Sequence, residues 1–187
     1  MVTVENPPPL WYTSDIQIFY INEVLYMFRE MRRFKQELSK DDTIKVLENG
    51  SYGTLAVYGD DSYPYAVPIS YVYADGKLYF HCANQGHKLD AVQNNAKASF
   101  CVVSQDKVIP ERLTTIFESV IAFGLAKVIE NEEEKRKALE YIAQKYCSDN
   151  GAKNNEEIEK HWNAVCIIAM EIEHMTGKAS MDIIAAK

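Results

Sequence analysis

The sequence predicts a mainly β fold in which an antiparallel sheet closes on itself and a few helices flank it. Segments rich in Val, Ile, Tyr and Phe recur along the chain, and residues with turn chemistry separate them. Only a few stretches show the three- and four-residue spacing of apolar side chains that an amphipathic helix requires. With 187 residues, 47% of them hydrophobic, the chain can bury one sizeable core.

The first 35 residues are predicted to lie outside the main domain. Three consecutive prolines at positions 7–9 favour an extended arm. From Asp15 to Lys35 the apolar side chains follow helical spacing, which predicts an amphipathic helix. We therefore divide the chain into an N-terminal arm and helix, residues 1–35, and a main domain, residues 36–187.

The first part of the main domain should contain a short helix and three strands. Ser39 and Asp42 have the spacing of a helix cap, and Gly50 can end the helix. Short polar turns then predict an antiparallel meander of strands at Tyr52–Tyr58, Tyr63–Tyr73 and Lys77–Cys82. Tyr71, Tyr73 and Tyr79 recur at strand spacing. Aromatic side chains in such a pattern are more typical of a subunit interface than of an active site, which predicts an interface role for them.

The second part should complete the sheet and cover it with helices. Three further strands are predicted at Lys97–Ser104, Thr115–Ile129 and Ala164–Glu173. A short helix or turn is predicted before them at His87–Asn94. Between the last two strands, a helix is predicted at Asn131–Tyr146, a loop at Ser148–Asn155 and a helical turn at Glu156–Trp162.

Charge and composition exclude several classes of function. The net charge of −7 argues against a nucleic-acid or anionic-membrane surface, because such surfaces need clustered Lys and Arg. No apolar run reaches the roughly 18 residues of a membrane span, so the cytoplasm is the expected location. Widely spaced cysteines in apolar stretches predict buried, reduced thiols and no metal site, at Cys82, Cys101, Cys147 and Cys166.

The stretch from Phe80 to Asp90 is the candidate for ligand chemistry. Gly86 lets a ligand approach the backbone closely, the first amides of the following helix are unpaired donors, and Lys88 adds a positive charge. Such a turn can hold a phosphate monoester. An ordinary surface turn can have the same residues, so the turn alone does not establish a site.

Five short motifs occur in a fixed order: Gly53–Ala56, Pro64–Val72, Asp75–His81, Gly86–Asp90 and Asn94–Phe100. This set resembles the pyridoxamine 5′-phosphate oxidase-like FMN-binding split-barrel family, and is nearest to its nitroimidazole-resistance branch of proposed nitroreductases. The resemblance covers roughly Met27 to Ser180. It implies an antiparallel split β-barrel that forms a homodimer with FMN at the subunit interface.

The resemblance also implies which residues bind the cofactor. One strand would line the flavin ring with Val67, Pro68, Ile69 and Ser70. The ribityl chain and phosphate would lie beside Phe80 and His81, and the glycine turn would hold the phosphate with Gly86, His87 and Lys88. Two residues would approach the partner's flavin, Trp162 and Lys178. His87 departs from the family pattern, in which Arg or Lys is common, and a neutral imidazole would hold phosphate more weakly.

His81 is the candidate catalytic residue, because a histidine at the matching position is implicated in the active site of that branch. It could donate a proton to a reduced substrate, or it could only position the flavin. Two functions remain open. One is an FMN-dependent oxidoreductase that takes electrons from NAD(P)H or another reductant and reduces a small electron-poor molecule such as a nitroaromatic. The other is a non-catalytic protein that binds a flavin or a haem-like ligand.

Overall fold

The computed structural model describes residues 28–186, in which seven strands form one antiparallel sheet. The strands are β1 Tyr52–Tyr58, β2 Pro64–Ser70, β3 Val72–Ala74, β4 Lys77–Ala83, β5 Lys97–Ile109, β6 Thr114–Val128 and β7 Val165–Ala179. Their order across the sheet is β2-β1-β5-β6-β7-β4-β3, and every neighbouring pair is antiparallel. The predicted fold class is confirmed.

The sheet curls into a barrel because its two edge strands are consecutive in the chain. β2 lies at one edge and β3 at the other, yet β2 ends at Ser70 and β3 begins at Val72. Two Cα–Cα steps span at most roughly 7 Å, so the edges must meet at Tyr71. The predicted meander is therefore wrong. Its strands form two hairpins, β1–β2 and β3–β4, on opposite edges of the sheet.

Within residues 28–186, five helices flank the sheet: α1 Lys40–Asn49, α2 His87–Asn94, α3 Glu132–Tyr146, α4 Gly151–His161 and α5 Met181–Ala185. The Ser39 cap is confirmed, since its hydroxyl accepts the Asp42 N–H at 3.1 Å. The loop predicted at Ser148–Asn155 is wrong, because α4 already begins at Gly151. Ile158 is the only buried residue of α4, so the helix has too little apolar periodicity to reveal its start.

Two other boundaries differ from the prediction. β5 continues to Ile109 and β7 to Ala179, because the ladder between β5 and β6 continues into an exposed segment and the ladder between β6 and β7 continues to the buried Ala179. The predicted arm and most of the Asp15–Lys35 helix lie outside the described residues. Where that helix overlaps them it is wrong: residues 28–33 are not helical, and Phe34–Gln36 form a single 3-10 turn.

The core has two parts, one inside the barrel and one between the sheet and the helices α3 and α4. Leu55, Phe80 and Phe100 belong to the barrel interior, while Tyr79 and Ile167 lie on the other face of β4 and β7, in a cluster with residues of α3 and α4. Tyr71 and Tyr79 are buried in these cores, so their predicted place at a subunit interface is wrong. Cys82 is buried as predicted, but Cys147 is exposed. No helix among the described residues is long and apolar enough to cross a membrane.

Candidate cofactor-binding site

The turn between β4 and α2 is open to solvent and free of local obstruction. Gly86 has φ 130° and ψ 162°, a backbone conformation that is essentially restricted to glycine. A Cβ atom at this position would have no neighbouring atom within 4 Å. No described side chain caps α2, so the first amides of this helix remain available to an outside acceptor. A ligand can therefore approach the backbone directly here.

Lys88 supplies the positive charge of this turn. It is half-buried and makes no ion pair among residues 28–186. Its charge acts on the nearby Cys82 thiol, where it partly offsets a burial effect that raises the thiol pKa. An uncompensated lysine beside free helix amides forms a suitable environment for an anion.

His87 connects the turn to the β1–β2 hairpin. Its ring stacks on Tyr65 with the centroids 4.0 Å apart, and its Nε2 accepts the Asp60 N–H at 3.4 Å. The Asp60 carboxylate lies 3.7 Å from the same nitrogen. Because Nε2 is used within the protein, His87 holds the start of β2 against the turn.

The four β2 residues predicted to line a flavin ring divide between two faces. Val67 and Ile69 pack against the barrel core, so their side chains point away from the outer face. Pro68 is exposed on that outer face. Ser70 also belongs to the outer face by strand alternation, and its side chain lies near the Tyr146 hydroxyl. Only main-chain atoms of Val67 and Ile69 could contact a ligand there.

The two β4 candidates also divide. Phe80 is fully buried and packs edge to face on Phe100, with ring centroids 5.0 Å apart. His81 is exposed and pairs with Ile167 of β7. Tyr79, two residues earlier on the same face, is covered by the helical layer, so His81 lies where that cover ends.

Trp162 and Lys178 lie at opposite ends of β7. The Trp162 end adjoins the turn region, since the Asn84 side chain donates to the Asn163 carbonyl at 2.6 Å. Trp162 itself is fixed by Lys135, whose ammonium lies 4.5 Å from the ring centroid and donates to the Trp162 carbonyl at 2.8 Å. Lys178 lies over the Phe117 ring at 5.4 Å. The residues between them span roughly 40 Å along the strand, so the chain by itself does not bring the two together.

Comparison with known proteins agrees with this fold. A profile of the pyridoxamine 5′-phosphate oxidase family matches residues 39–179, which is more than half of the chain. The chain belongs to this family. No curated protein matches the chain.

Solved structures with the same fold have low sequence identity to this chain. A protein assigned to 5-nitroimidazole antibiotic resistance from Bacteroides thetaiotaomicron is 22% identical, with TM-score 0.62 over 76% of this chain and 85% of that chain. The FAD and heme binding protein from Mycobacterium smegmatis is 21% identical, with TM-score 0.69 over 81% and 79%. The conserved hypothetical protein Rv2991 from Mycobacterium tuberculosis is 15% identical, with TM-score 0.70 over 80% and 90%.

Sequence reasoning missed two features of this family member. One is the contact of Tyr65 and Asp60 with His87, which joins residues more than 20 positions apart and has no local signal. The other is an apolar stripe on the outer face of β5 and β6, formed by Val103, Ile121 and Leu125, which are 56%, 42% and 40% exposed. The continuous apolar run at 120–126 was a signal for it, since such runs are typical of strands covered on both faces. Within residues 28–186, no group of three or more His, Cys, Asp or Glu side chains could hold a metal.

Proposed function

We propose that this protein is a homodimeric FMN-dependent oxidoreductase that reduces small electron-poor molecules such as nitroaromatics. The Gly86–Lys88 turn is the observation that carries the proposal. It combines an open glycine backbone, uncapped helix amides and a lysine without an ion-pair partner among the described residues, which are the groups that bind a phosphate monoester.

The position of β2 supports FMN over a bare phosphate. Tyr65 at the start of β2 contacts His87 beside the turn, and the strand then leads away past the exposed Pro68. A ligand with a phosphate at one end and a flat ring at the other suits this arrangement, because β2 is an edge strand with main-chain groups open to hydrogen bonding. Bound FMN would supply the hydride chemistry.

The outer stripe of Val103, Ile121 and Leu125 supports a dimer. Three exposed apolar side chains on one sheet face are the kind of surface that subunit interfaces cover. Lys178 lies far along β7 from the turn of its own protomer, so only a second subunit could bring it to that site. We propose that the stripe packs against the partner and that each FMN site uses both subunits.

His81 would serve as the proton donor. Its exposed imidazole lies on β4, the barrel strand that leads to the turn, and imidazole transfers protons near neutral pH. NAD(P)H or another reductant would dock transiently at the exposed flavin face. Four free cysteines suit a reducing compartment, which supports a cytoplasmic location.

A second candidate is a non-catalytic binder of a flavin or a haem-like ligand. The exposure of His81 favours it, because an accessible imidazole can ligate haem iron. The heme binding relative from Mycobacterium smegmatis has the same fold.

Reconstitution separates the two candidates. The purified protein is incubated with FMN or haemin, freed of excess ligand and studied anaerobically by absorbance. An oxidoreductase retains FMN, loses the flavin bands when NAD(P)H is added and regains them when a nitroaromatic follows. Retention of either ligand without this cycle supports the binder, and failure to retain FMN overturns the proposal.

Lys88→Ala tests the phosphate contact. We expect FMN affinity to fall by about 10- to 100-fold and riboflavin affinity to stay unchanged, because only FMN carries the phosphate. Lys97→Ala, at the exposed start of β5, is the matched control and should alter neither affinity. Equal losses for FMN and riboflavin would contradict a phosphate role for Lys88.

A further inference from the structure

Two cysteines face each other across the β4–β7 ladder. Cys82 and Cys166 are direct partners, and the ladder shows no register shift from the Lys77–Glu171 pair to the Ala83–Val165 pair. Cys82 belongs to the barrel core, and the half-buried Cys166 packs against that core. Both thiols therefore point to the same side of the sheet, toward the barrel interior.

The backbone pairing identifies the type of this cysteine pair. The Ile167 carbonyl accepts a hydrogen bond of 2.9 Å from Ile129, on the β6 side of β7. Neighbouring residues in a strand direct their backbone N–H and C=O groups to opposite sides. The backbone groups of Cys166 therefore point toward β4, so Cys82 and Cys166 are a hydrogen-bonded pair of the ladder. Hydrogen-bonded partners in an antiparallel ladder have Cα atoms about 5.5 Å apart, which lies within the roughly 4.4–6.8 Å that disulfides span.

A disulfide at this place would be strained. Directly opposed Cβ atoms lie up to about 5.5 Å apart, whereas a disulfide needs a Cβ separation near 3.8 Å. The two strands would have to draw together slightly. Strained disulfides are reduced more readily than relaxed ones, which suits a bond that forms and breaks with conditions.

The two thiols have different surroundings. Burial raises the pKa of the Cys82 thiol to about 11; Cys166 adds to the rise and Lys88 opposes it. Cys166 is more exposed, and its Sγ lies 3.9 Å from the Ile167 carbonyl. Cys166 is therefore placed to react first with an outside reagent, and Cys82 is placed to react second from inside the barrel.

We propose that Cys82 and Cys166 form a thiol–disulfide exchange site for small organic disulfides such as oxidised glutathione. The Cys166 thiolate attacks one sulfur of the reagent and expels a thiolate, which takes up the proton that Cys166 lost. Cys82 then gives up its proton and attacks Cys166 Sγ, and the second thiol leaves. Two protein thiols are oxidised, and one small disulfide is reduced to two thiols.

This proposal does not depend on the proposed flavin chemistry. It has a structural consequence for the neighbouring turn, because Cys82 lies four residues before Gly86 on the strand that leads to it. Closing the bond would tie the end of β4 to the start of β7.

The remaining cysteines provide matched controls. Cys101 is half-buried on β5, where its partners are Thr54 and Ile121, so it has no opposing thiol. Burial raises the pKa of its thiol as well. Cys147 is exposed after α3. A difference between Cys82 and Cys101 therefore reports on pairing and not on burial alone.

The test treats the reduced full-length protein with oxidised glutathione or the smaller hydroxyethyl disulfide. Remaining thiols are alkylated in denaturant, and peptides are mapped by mass spectrometry. We expect a Cys82–Cys166 linked peptide in the wild type and in Cys101→Ser, and its loss after dithiothreitol treatment. In Cys82→Ser we expect a stable mixed disulfide at Cys166.

Two results would overturn the proposal. One is alkylation of both Cys82 and Cys166 at every oxidant level that leaves the circular dichroism spectrum native. The other is linkage of Cys82 or Cys166 to Cys101 or Cys147 in place of each other. If Cys82→Ser fails to fold, the wild type and Cys101→Ser comparison still decides between these outcomes.

Discussion

The two ends of β2 direct their polar groups to different places. At the Tyr71 end the polar groups are hydrogen-bonded inside the protein. The buried Tyr71 hydroxyl donates to the Leu47 carbonyl at 2.7 Å, and the Tyr71 N–H donates to the Tyr146 hydroxyl at 3.0 Å. The Tyr146 hydroxyl also contacts the carbonyls of Tyr71 and Ser51. At the Tyr65 end, the open Gly86 turn leaves its donors facing solvent.

This difference separates the groups that stabilise the fold, at the Tyr71 end or closed end, from the groups that can bind a ligand, at the Gly86 end or open end. Internal hydrogen bonds at the Tyr71 end connect the point where the barrel closes to α1 and α3, so changes there should cost stability and leave ligand affinity intact. Unused donors at the Gly86 end contribute little to folding and remain available for an anion. The following four changes test that separation.

The largest expected effect is from Tyr146→Phe at the closed end. The change removes an acceptor for the buried Tyr71 N–H, so we expect the free energy of unfolding to fall by about 2 kcal/mol. Urea denaturation measures it. Tyr141→Phe, which loses an exposed bond to Asp75, is the control and should change stability much less. An equal loss in both variants would show that the closed end is not special.

Gly86→Ala should affect both properties at the open end. Its positive φ strains any side chain, so we expect a stability loss of about 1–2 kcal/mol together with weaker FMN binding. Gly76→Ala is a matched control, because Gly76 also has a positive φ and open space around it. Comparable destabilisation with unchanged FMN affinity in Gly76→Ala would place the binding effect at the turn. Loss of FMN in both variants would contradict it.

Lys145, at the closed end, makes the stability of the protein depend on pH. Its buried ammonium has no hydrogen-bond partner among the described residues, and burial lowers its pKa from 10.5 to about 8. Between these values the unfolded chain binds more protons than the folded one, so this residue makes stability rise with pH.

Lys145→Met removes that contribution. After allowance for solvent screening, we expect the wild type to gain about 1–2 kcal/mol relative to Lys145→Met between pH 7 and pH 10. Urea denaturation across this range measures the difference, which cancels titrations common to both proteins. A gap that is constant with pH would refute the assignment.

The smallest expected effect is a gain of function from His87→Arg. A permanent charge at the turn should raise FMN affinity about 3- to 10-fold and leave riboflavin affinity unchanged. His87→Gln, which adds no charge, serves as the comparison. Fluorescence quenching of the free flavin gives both affinities, and a gain for riboflavin as large as that for FMN would rule out a phosphate effect.

Local pattern was enough to predict most of the strands, the capped helix at Ser39 and the glycine turn. Each depends on residues within a few positions of one another: alternating apolar side chains, a hydroxyl three residues before an amide, or a glycine before a helix. The start of α4 was not predictable in the same way, because a helix with a single buried side chain differs little in pattern from a polar loop.

Tertiary structure alone decided how these elements combine. The sequence around Tyr71 reads as one continuous strand, and only the pairing of the whole sheet makes it the point where the barrel closes. Three other features likewise depend on contacts between residues far apart in the chain. They are the burial of Phe80, the stacking of His87 on Tyr65 and the pairing of Cys82 with Cys166. Side-chain patterns determine which segments form strands, whereas sheet order depends on the total burial of the folded chain, which no single segment contains.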